Sequence, residues 1–369
     1  MIAGKPKYVV LVSLAFLAGA SWFRMFAQEA TTTEPRDLSK WDLICYCITS
    51  VGTPHFAVKA DTNGRILYAA QKGLTRKQIE EAVPSPALTS QLGLLRDWRM
   101  LKRTGDIYTT NIPVLGPEKM DQMRARMTEM ARGIEPSLRA EVRAIADQLQ
   151  KDQLSDHLYS VLFSYVLDGL TWDQLRASKA IPEMKISADH PFWDGTFWAV
   201  YPIRAAQPGT NSTGPDGVTI LMTWTDPVLG QLTDLENAPA LEASLKQIAK
   251  GDCRNLSIDD AAHTRWNLST EEGKCAFPVI HENENDAIYA AGRRIAGKIV
   301  DSVLQNDFQT LIGGGSTAEQ AHLIEAHELI WSVLDLLEKD GLVREPAVLR
   351  NGAPSHGRLL QLLLVAVQH

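Results

Sequence analysis

The sequence predicts an α+β chain, mostly helical, built from repeated small units joined by long helices. Three observations carry this. Apolar residues recur at three- and four-residue spacing over long stretches, above all 116–153 and 316–341, which is the period of helices with one buried face. Between these stretches lie short runs with the alternation of strands, bounded by Gly, Pro, Asn and Asp. Short passages also echo one another. GLTRKQI at 73–79 returns as GLTWDQL at 169–175, and LLRDWRMLK at 94–102 as LLEKDGLVR at 336–344. Self-similarity of this kind marks a recurring unit.

Taken in order, the chain opens with Lys5 and Lys7, then an uncharged run of 16 residues from Tyr8 to Phe23, then a small residue at Ala27. As a helix that run spans about 24 Å, short of the roughly 30 Å hydrocarbon core. Basic, apolar and small in succession predict a signal peptide over 1–27. Met25 stands where a small residue is preferred at cleavage, so an uncleaved membrane anchor with its lysines inside is the alternative. No cysteine follows the apolar run to take a lipid. Residues 28–40 are polar, contain a proline and read as a linker.

A first domain is expected over 41–153. HFAVKADTNGRILYAA sets two apolar runs about DTNG, a hairpin signal, although the second run also opens a helix ended by Gly73. This segment resembles the ligand-binding modules of bacterial sensors. Thr75 stands where it caps a helix carrying Ile79 and Val83, and Pro84 and Pro86 end it. Leu88, Leu92 and Leu95 then resume helical spacing, and MLKRTGDIYTTNIP gives two short strands about TGD. In this order residues 64–112 resemble the winged helix-turn-helix of bacterial regulators that respond to arsenic or to multiple antibiotics. The resemblance implies a fold, and the apolar spacing predicts that Ile79, Leu88, Leu92, Leu95 and Ile107 are buried together. The ligand and metal residues of those regulators have no counterpart here.

From 116 to 153 the chain reads as helix, interrupted near Gly133 and Pro136. Its stripe of Met120, Met123, Met127 and Met130 is a packing face. A second winged-helix-like unit is expected over 154–250, with GTFWAVYPIRA and VTILMTWTD paired across a Gly- and Ser-rich loop as an enlarged wing. Residues 251–369 form a mainly helical C-terminal domain holding a weaker third copy. There Ser316 and Glu319 form a capping box, Gly341 closes the helix, and GRLLQLLLVAVQ is a buried strand or docked helix.

Charge bears on function. The 369 residues carry a formal net charge of −7, and 1–27 hold three cations and no acid, leaving −10 on the remainder. Such a body repels phosphate backbones. Residues 63–112 run against this trend with eight Lys or Arg against four acids. If this unit reads DNA, Thr89, Ser90, Gln91, Arg96, Arg99, Lys102 and Arg103 are its contacts. The helix opening at Leu88 nonetheless has no cation in its first two turns.

Cys253 and Cys275 enclose a polar loop and are the expected disulfide of an oxidising compartment. Cys45 and Cys47, two apart in a strand, are expected as buried free thiols. The residue types Cys253, His263, Cys275 and His281 fit zinc, but their spacing matches no common site. His322 and His327 are five apart and do not share a helical face. No nucleophile or phosphate-loop motif is present, so neither catalysis nor a cofactor or metal is expected. Phe192, Trp193, Phe197, Trp198 and Tyr201 form a dense aromatic run, expected as a partner-contact surface. Asn211, Asn255 and Asn267 are glycan acceptors only where a secretory pathway glycosylates.

Together these readings predict a non-enzymatic envelope protein of a bacterium, exported to the periplasm or cell surface or anchored in the inner membrane. Its winged-helix-like units would bind other proteins or a second copy of the chain. The alternatives are a DNA-binding regulator, cytosolic or membrane-tethered, and an envelope sensor or ligand-binding protein.

Overall fold

The computed structural model describes residues 34–50, 52–204, 208–214, 217–225, 228, 241–250, 252–254, 268–270, 272–306, 309–312, 316–347 and 360–366. The leader, residues 28–33 of the expected linker, His263, Asn255 and Asn267 lie outside these residues. The architecture is α+β and mostly helical. Among the described residues no helix is long and apolar enough to cross a membrane.

The N-terminal part begins with β1 (Asp42–Thr49), followed by α1 (Pro54–Lys59) and α2 (Asn63–Ala69). The DTNG segment is therefore a helix–helix corner, not the hairpin expected, and the likeness to a sensor hairpin fails there. Pro54 presets the first turn of α1, Asp61 turns the corner at φ 46°, and the Asn63 amide donates to the Ala57 carbonyl at 2.7 Å. Next come β2 (Leu74–Thr75), α3 (Arg76–Ala82), α4 (Leu88–Asp97), β3 (Leu101–Thr104) and β4 (Ile107–Thr110). Thr75 and Gln78 cap α3 reciprocally. The three strands pair in the order β2-β4-β3, and Gly105 makes the tight turn with φ +59°. Ile79, Leu88, Leu92 and Leu95 are buried together. Ile107 is not: it is 40% exposed, because alternation along β4 gives the inward position to Tyr108.

β5 (Val114–Leu115) and β6 (Trp193–Val200) join β1 in a sheet of order β1-β6-β5. This sheet separates two cores, and its alternation is visible residue by residue. Leu43, Cys45, Cys47, Trp193, Phe197 and Ala199 face the core of the N-terminal unit. Ile44, Tyr46, Leu115, Trp198 and Val200 face the core of the body. The aromatic run expected as a partner surface is thus interior. Trp193, Phe197 and Trp198 are buried, Phe192 stacks on Trp98 at 5.4 Å, and Tyr201 packs on Trp41 at 5.6 Å. A strand covered on both faces needs large apolar groups on both parities, which is why this run is so aromatic.

The body contains α5 (Pro117–Lys151), α6 (Leu158–Ser160), a π-helical segment (Val161–Leu170) and α7 (Thr171–Ala177). It continues with β7 (Gly209–Thr213), β8 (Val218–Trp224), α8 (Leu241–Ile248), β9 (Val279–His281) and α9 (Ala287–Leu304). The last elements are α10 (Gln309–Ile312), α11 (Ala318–Lys339) and β10 (Leu360–Ala366). α5 runs unbroken through Gly133 and Pro136 instead of stopping there. Arg132, Gly133 and Pro136 sit on its exposed side, where the carbonyl that proline leaves without a donor meets water. Met120, Met123 and Met127 are fully buried, with Met130 packed against the same core.

The second sheet has the order β7-β8-β10-β9, with β10 antiparallel to β8 and parallel to β9. The hairpin is β7–β8. β6 and β8 belong to different sheets, so the enlarged wing is not formed as expected. β1 pairs with β6 and β8 with β10, so both sheets cross the boundaries expected at 153 and 250. The cap of α11 is Thr317 with Gln320, one residue beyond the pair expected, and Gly341 follows the helix at φ +68°.

Cys253 and Cys275 are bonded, with Cα atoms 4.9 Å apart. Replacing both with serine is expected to lower stability by about 2–4 kcal/mol in urea unfolding, the usual loss for a closed loop of this size. A change under about 0.5 kcal/mol would show that the bridge does not restrain the unfolded chain. Cys45 and Cys47 are also bonded, contrary to the free thiols expected. Their Cα atoms are 5.5 Å apart, less than the roughly 6.6 Å of two residues in a regular strand, so β1 is locally shortened. Opposite Cys47 stands Gly195, at φ +130°, where a Cβ would collide with the Tyr46 carbonyl.

Candidate functional site

The π-helical segment organises the most chemically distinctive part of the molecule. Val161, Leu162, Phe163, Val166 and Leu167 are buried around its circumference, so packing on all sides holds a geometry that isolated helices avoid. The widened turn is visible at its end, where the Thr171 hydroxyl donates to the Val166 carbonyl five residues back at 3.2 Å. Gly169 lets it close, because a Cβ there would lie 3.2 Å from the Ser164 carbonyl. Within this apolar surround the segment carries Ser164, Tyr165 and Asp168. The Ser164 hydroxyl shares hydrogen bonds with Thr210 on β7 at 2.8 Å and Thr223 on β8 at 2.5 Å, tying segment to sheet.

Tyr165 and Asp168 line a cavity of about 340 Å³ between the π segment, the second sheet and the inner face of β1. β1 contributes Tyr46; α7 contributes Trp172, Asp173 and Arg176; β7 contributes Thr210 and Asn211; Glu282 follows β9. The rings of Tyr46 and Trp172 lie 5.0 Å apart. Arg176 donates to the Tyr46 hydroxyl at 3.0 Å and pairs with Asp173.

The electrostatics are those of charge withdrawn from water. Burial pushes the Asp168 carboxyl up to about 6, with the Trp172 indole N–H at 2.8 Å, His327 and Thr210 pulling it back in part. Burial, and then Asp173, raise Glu282 above the ordinary carboxylate range. Tyr46 is pushed up to about 12 by burial despite Arg176, and burial raises Tyr165, which donates to Glu282 at 3.4 Å.

Behind Asp168 a narrow cleft of about 10 Å³ separates it from His327 and Trp331 of α11. His327 Nδ1 lies 3.3 Å from Glu328, while its Nε2 meets no hydrogen-bonding group among the described residues. Burial acts to raise Glu328, but Arg204 at 2.8 Å, together with His327, outweighs it and holds the carboxyl at about 2. Asp42, in the same interior, is pushed up to about 6 by burial.

The residues singled out for DNA separate into two sets. Thr89, Ser90, Arg96, Lys102 and Arg103 are exposed. Gln91 is buried and donates to Thr62, and Arg99 is committed to the Trp193 carbonyl at 2.9 Å and Asp194 at 3.3 Å. Arg103 bends back to the Gly105 carbonyl and Asp106. Arg99 also borders a larger cavity of about 1050 Å³ between the N-terminal unit and the body, which shares Arg176 with the first. Asn211 is buried in β7, where its carbonyl oxygen accepts from Trp224, so it is not a glycan acceptor in this fold. Among the described residues no group of three or more His, Cys, Asp or Glu is arranged to hold a metal.

Sequence reasoning passed over Asp168, Tyr165 and Arg176. The signal present was a lone carboxylate, Asp168, inside the otherwise uncharged run LYSVLFSYVLDGLTW. Comparisons with protein-family models, curated proteins and solved structures find no match for the chain.

Proposed function

We propose that this chain is an exported ligand-binding protein, in which the cavity on the π-helical segment takes a small polar molecule without turning it over. The observation that carries the reading is the cavity itself: about 340 Å³, aromatic-walled, with Asp168 and Glu282 held above their ordinary ranges by burial. Concave pockets with a few convergent polar groups and perturbed carboxyls are the usual form of such sites. π-helical turns also concentrate at functional positions. Export is supported by the bonding of both cysteine pairs, which persists in oxidising compartments. The test is equilibrium dialysis against a mixture of small metabolites, with mass spectrometry of what the protein retains. Retention of a discrete compound, lost in Asp168→Asn, supports the reading; equal distribution of all compounds across the membrane removes it.

On this reading the N-terminal unit, winged-helix-like in element order, serves contact with a protein partner. Its surface is not the aromatic run, which is interior, but the exposed side of α3, α4 and the β3–β4 hairpin. That side presents Arg76, Lys77, Arg96 and Lys102. DNA is the weaker assignment because Gln91 and Arg99 are already bonded within the protein and the body is acidic. Residues 28–369 are expected to show no appreciable duplex binding at physiological salt in an electrophoretic shift. Submicromolar binding that falls steeply with salt, and falls again on replacing Arg96, Arg99, Lys102 and Arg103 with alanine, would restore the regulator.

A further inference from the structure

Resting on that ligand-binding reading, we infer that the cavity selects an organic ammonium ion, held by the carboxylates of Asp168 and Glu282 against the rings of Tyr46, Tyr165 and Trp172. The charge inventory of the lining points one way. It contains three carboxyls, Asp168, Asp173 and Glu282, against one guanidinium, Arg176. That guanidinium is already engaged by Asp173 and by the Tyr46 hydroxyl, so it offers little to an incoming anion. Among the described residues the hydrogen bonds to the other two carboxyls come from neutral groups: the Trp172 N–H and Thr210 for Asp168, and the long Tyr165 contact for Glu282. Buried negative charge met by neutral donors is stabilised most by a cation.

The walls suit the same ligand. Tyr46 and Trp172 lie 5.0 Å apart at 44°, forming a bent aromatic wall, and Tyr165 lines the cavity from the π segment. Aromatic faces attract ammonium groups, and more strongly where water is excluded. Thr210 and Ser212 on β7 supply hydroxyl groups for a polar tail. A neutral polyol would leave the carboxylates uncompensated, and an anion would be repelled by them.

A proton is coupled to this binding. The charged and titratable groups around Asp168 are Tyr165 on its own segment, Asp173 and Arg176 on α7, His327 on α11, Tyr46 on β1 and Glu282 after β9. Because the Asp168 carboxyl is pushed up to about 6 by burial, a large share of molecules carry the proton in mildly acid solution. An ammonium ion binds the deprotonated form, so affinity rises as pH rises through that value.

The experiment uses the full chain and three probes in isothermal titration: choline, n-butylammonium, and 3,3-dimethylbutan-1-ol, the uncharged isostere of choline. At pH 7.5 at least one ammonium probe is expected to bind ten times or more tightly than the isostere. Its affinity should fall by about tenfold at pH 5, the fraction of Asp168 then deprotonated. Asp168→Asn should lose that affinity and its pH dependence, Glu282→Gln should weaken it, and His327→Gln should leave the pH dependence in place. Equal binding of the isostere, or no binding of either ammonium ion, overturns the inference. A neutral or anionic compound retained in dialysis would overturn it while leaving the ligand cavity standing. Far-ultraviolet circular dichroism of each variant confirms that lost binding is not lost fold.

Discussion

Replacing Asp168 with asparagine is expected to raise the thermal midpoint of the free protein at pH 7.5. The carboxyl is raised from 3.8 in the reference state to about 6 in the fold, chiefly by burial. Folding therefore disfavours the charged form. Below the unfolded value both states are protonated and the penalty is absent; it grows as pH rises and is complete above the folded value. A shift of roughly 2 units corresponds to about 3 kcal/mol. Asparagine removes the charge and still accepts from the Trp172 indole, so the variant gains up to about 3 kcal/mol at pH 7.5 and nothing near pH 3.5. Urea unfolding at the two pH values checks this. A loss of stability at both would mean that the carboxylate is an ordinary structural partner. A gain confined to higher pH, accompanied by lost binding, marks a residue kept for its chemistry at the expense of stability.

Arg204→Ala is expected to act in the opposite sense and with larger effect. Arg204 holds Glu328 at 2.8 Å in the core and stands 3.9 Å from Asp335. Removing it leaves a buried carboxylate without its cation, a change that typically loses about 3–5 kcal/mol. The folded Glu328 carboxyl lies at about 2, below its reference value of 4.5. The stabilisation it gives is thus present above 4.5 and disappears as pH falls from 4.5 towards 2. The deficit of the variant should be full at pH 7 and shrink on acidification through that window. Adding Glu328→Gln should recover a substantial part of it, since the two side chains act as one unit. A deficit under about 1 kcal/mol, or one that does not change with pH, would show that the pair is not coupled.

Periodicity made the helices legible. The methionine stripe placed one face of α5 in the core, Thr75 marked the start of α3, and the alternation about TGD gave the β3–β4 hairpin. Sheet partners were not legible, because pairing over long separations leaves no local trace. Nothing near Trp193 says that its strand lies between β1 and β5, and the same residues on an exposed strand would have formed the partner surface expected. The Cys45–Cys47 bond was missed for a related reason. Regular strand spacing forbids it, and the shortening of β1 is read only beside Gly195 on the neighbouring strand. The cavity was hidden because its residues come from β1, the π segment, α7, β7 and the end of β9. Only Asp168, a single acid in an apolar run, announced itself locally.

The most direct measurement is the titration of the Asp168 carboxyl, followed by the carbon chemical shift of selectively labelled aspartate, with Asp168→Asn providing the assignment. In the free protein its midpoint should lie near 6, because the group is withdrawn from water while facing the cavity. Adding a compound retained in dialysis should move that midpoint, since ligand and proton meet at the same carboxyl. A free midpoint near the ordinary 3.8, unmoved by any retained compound, would contradict the account.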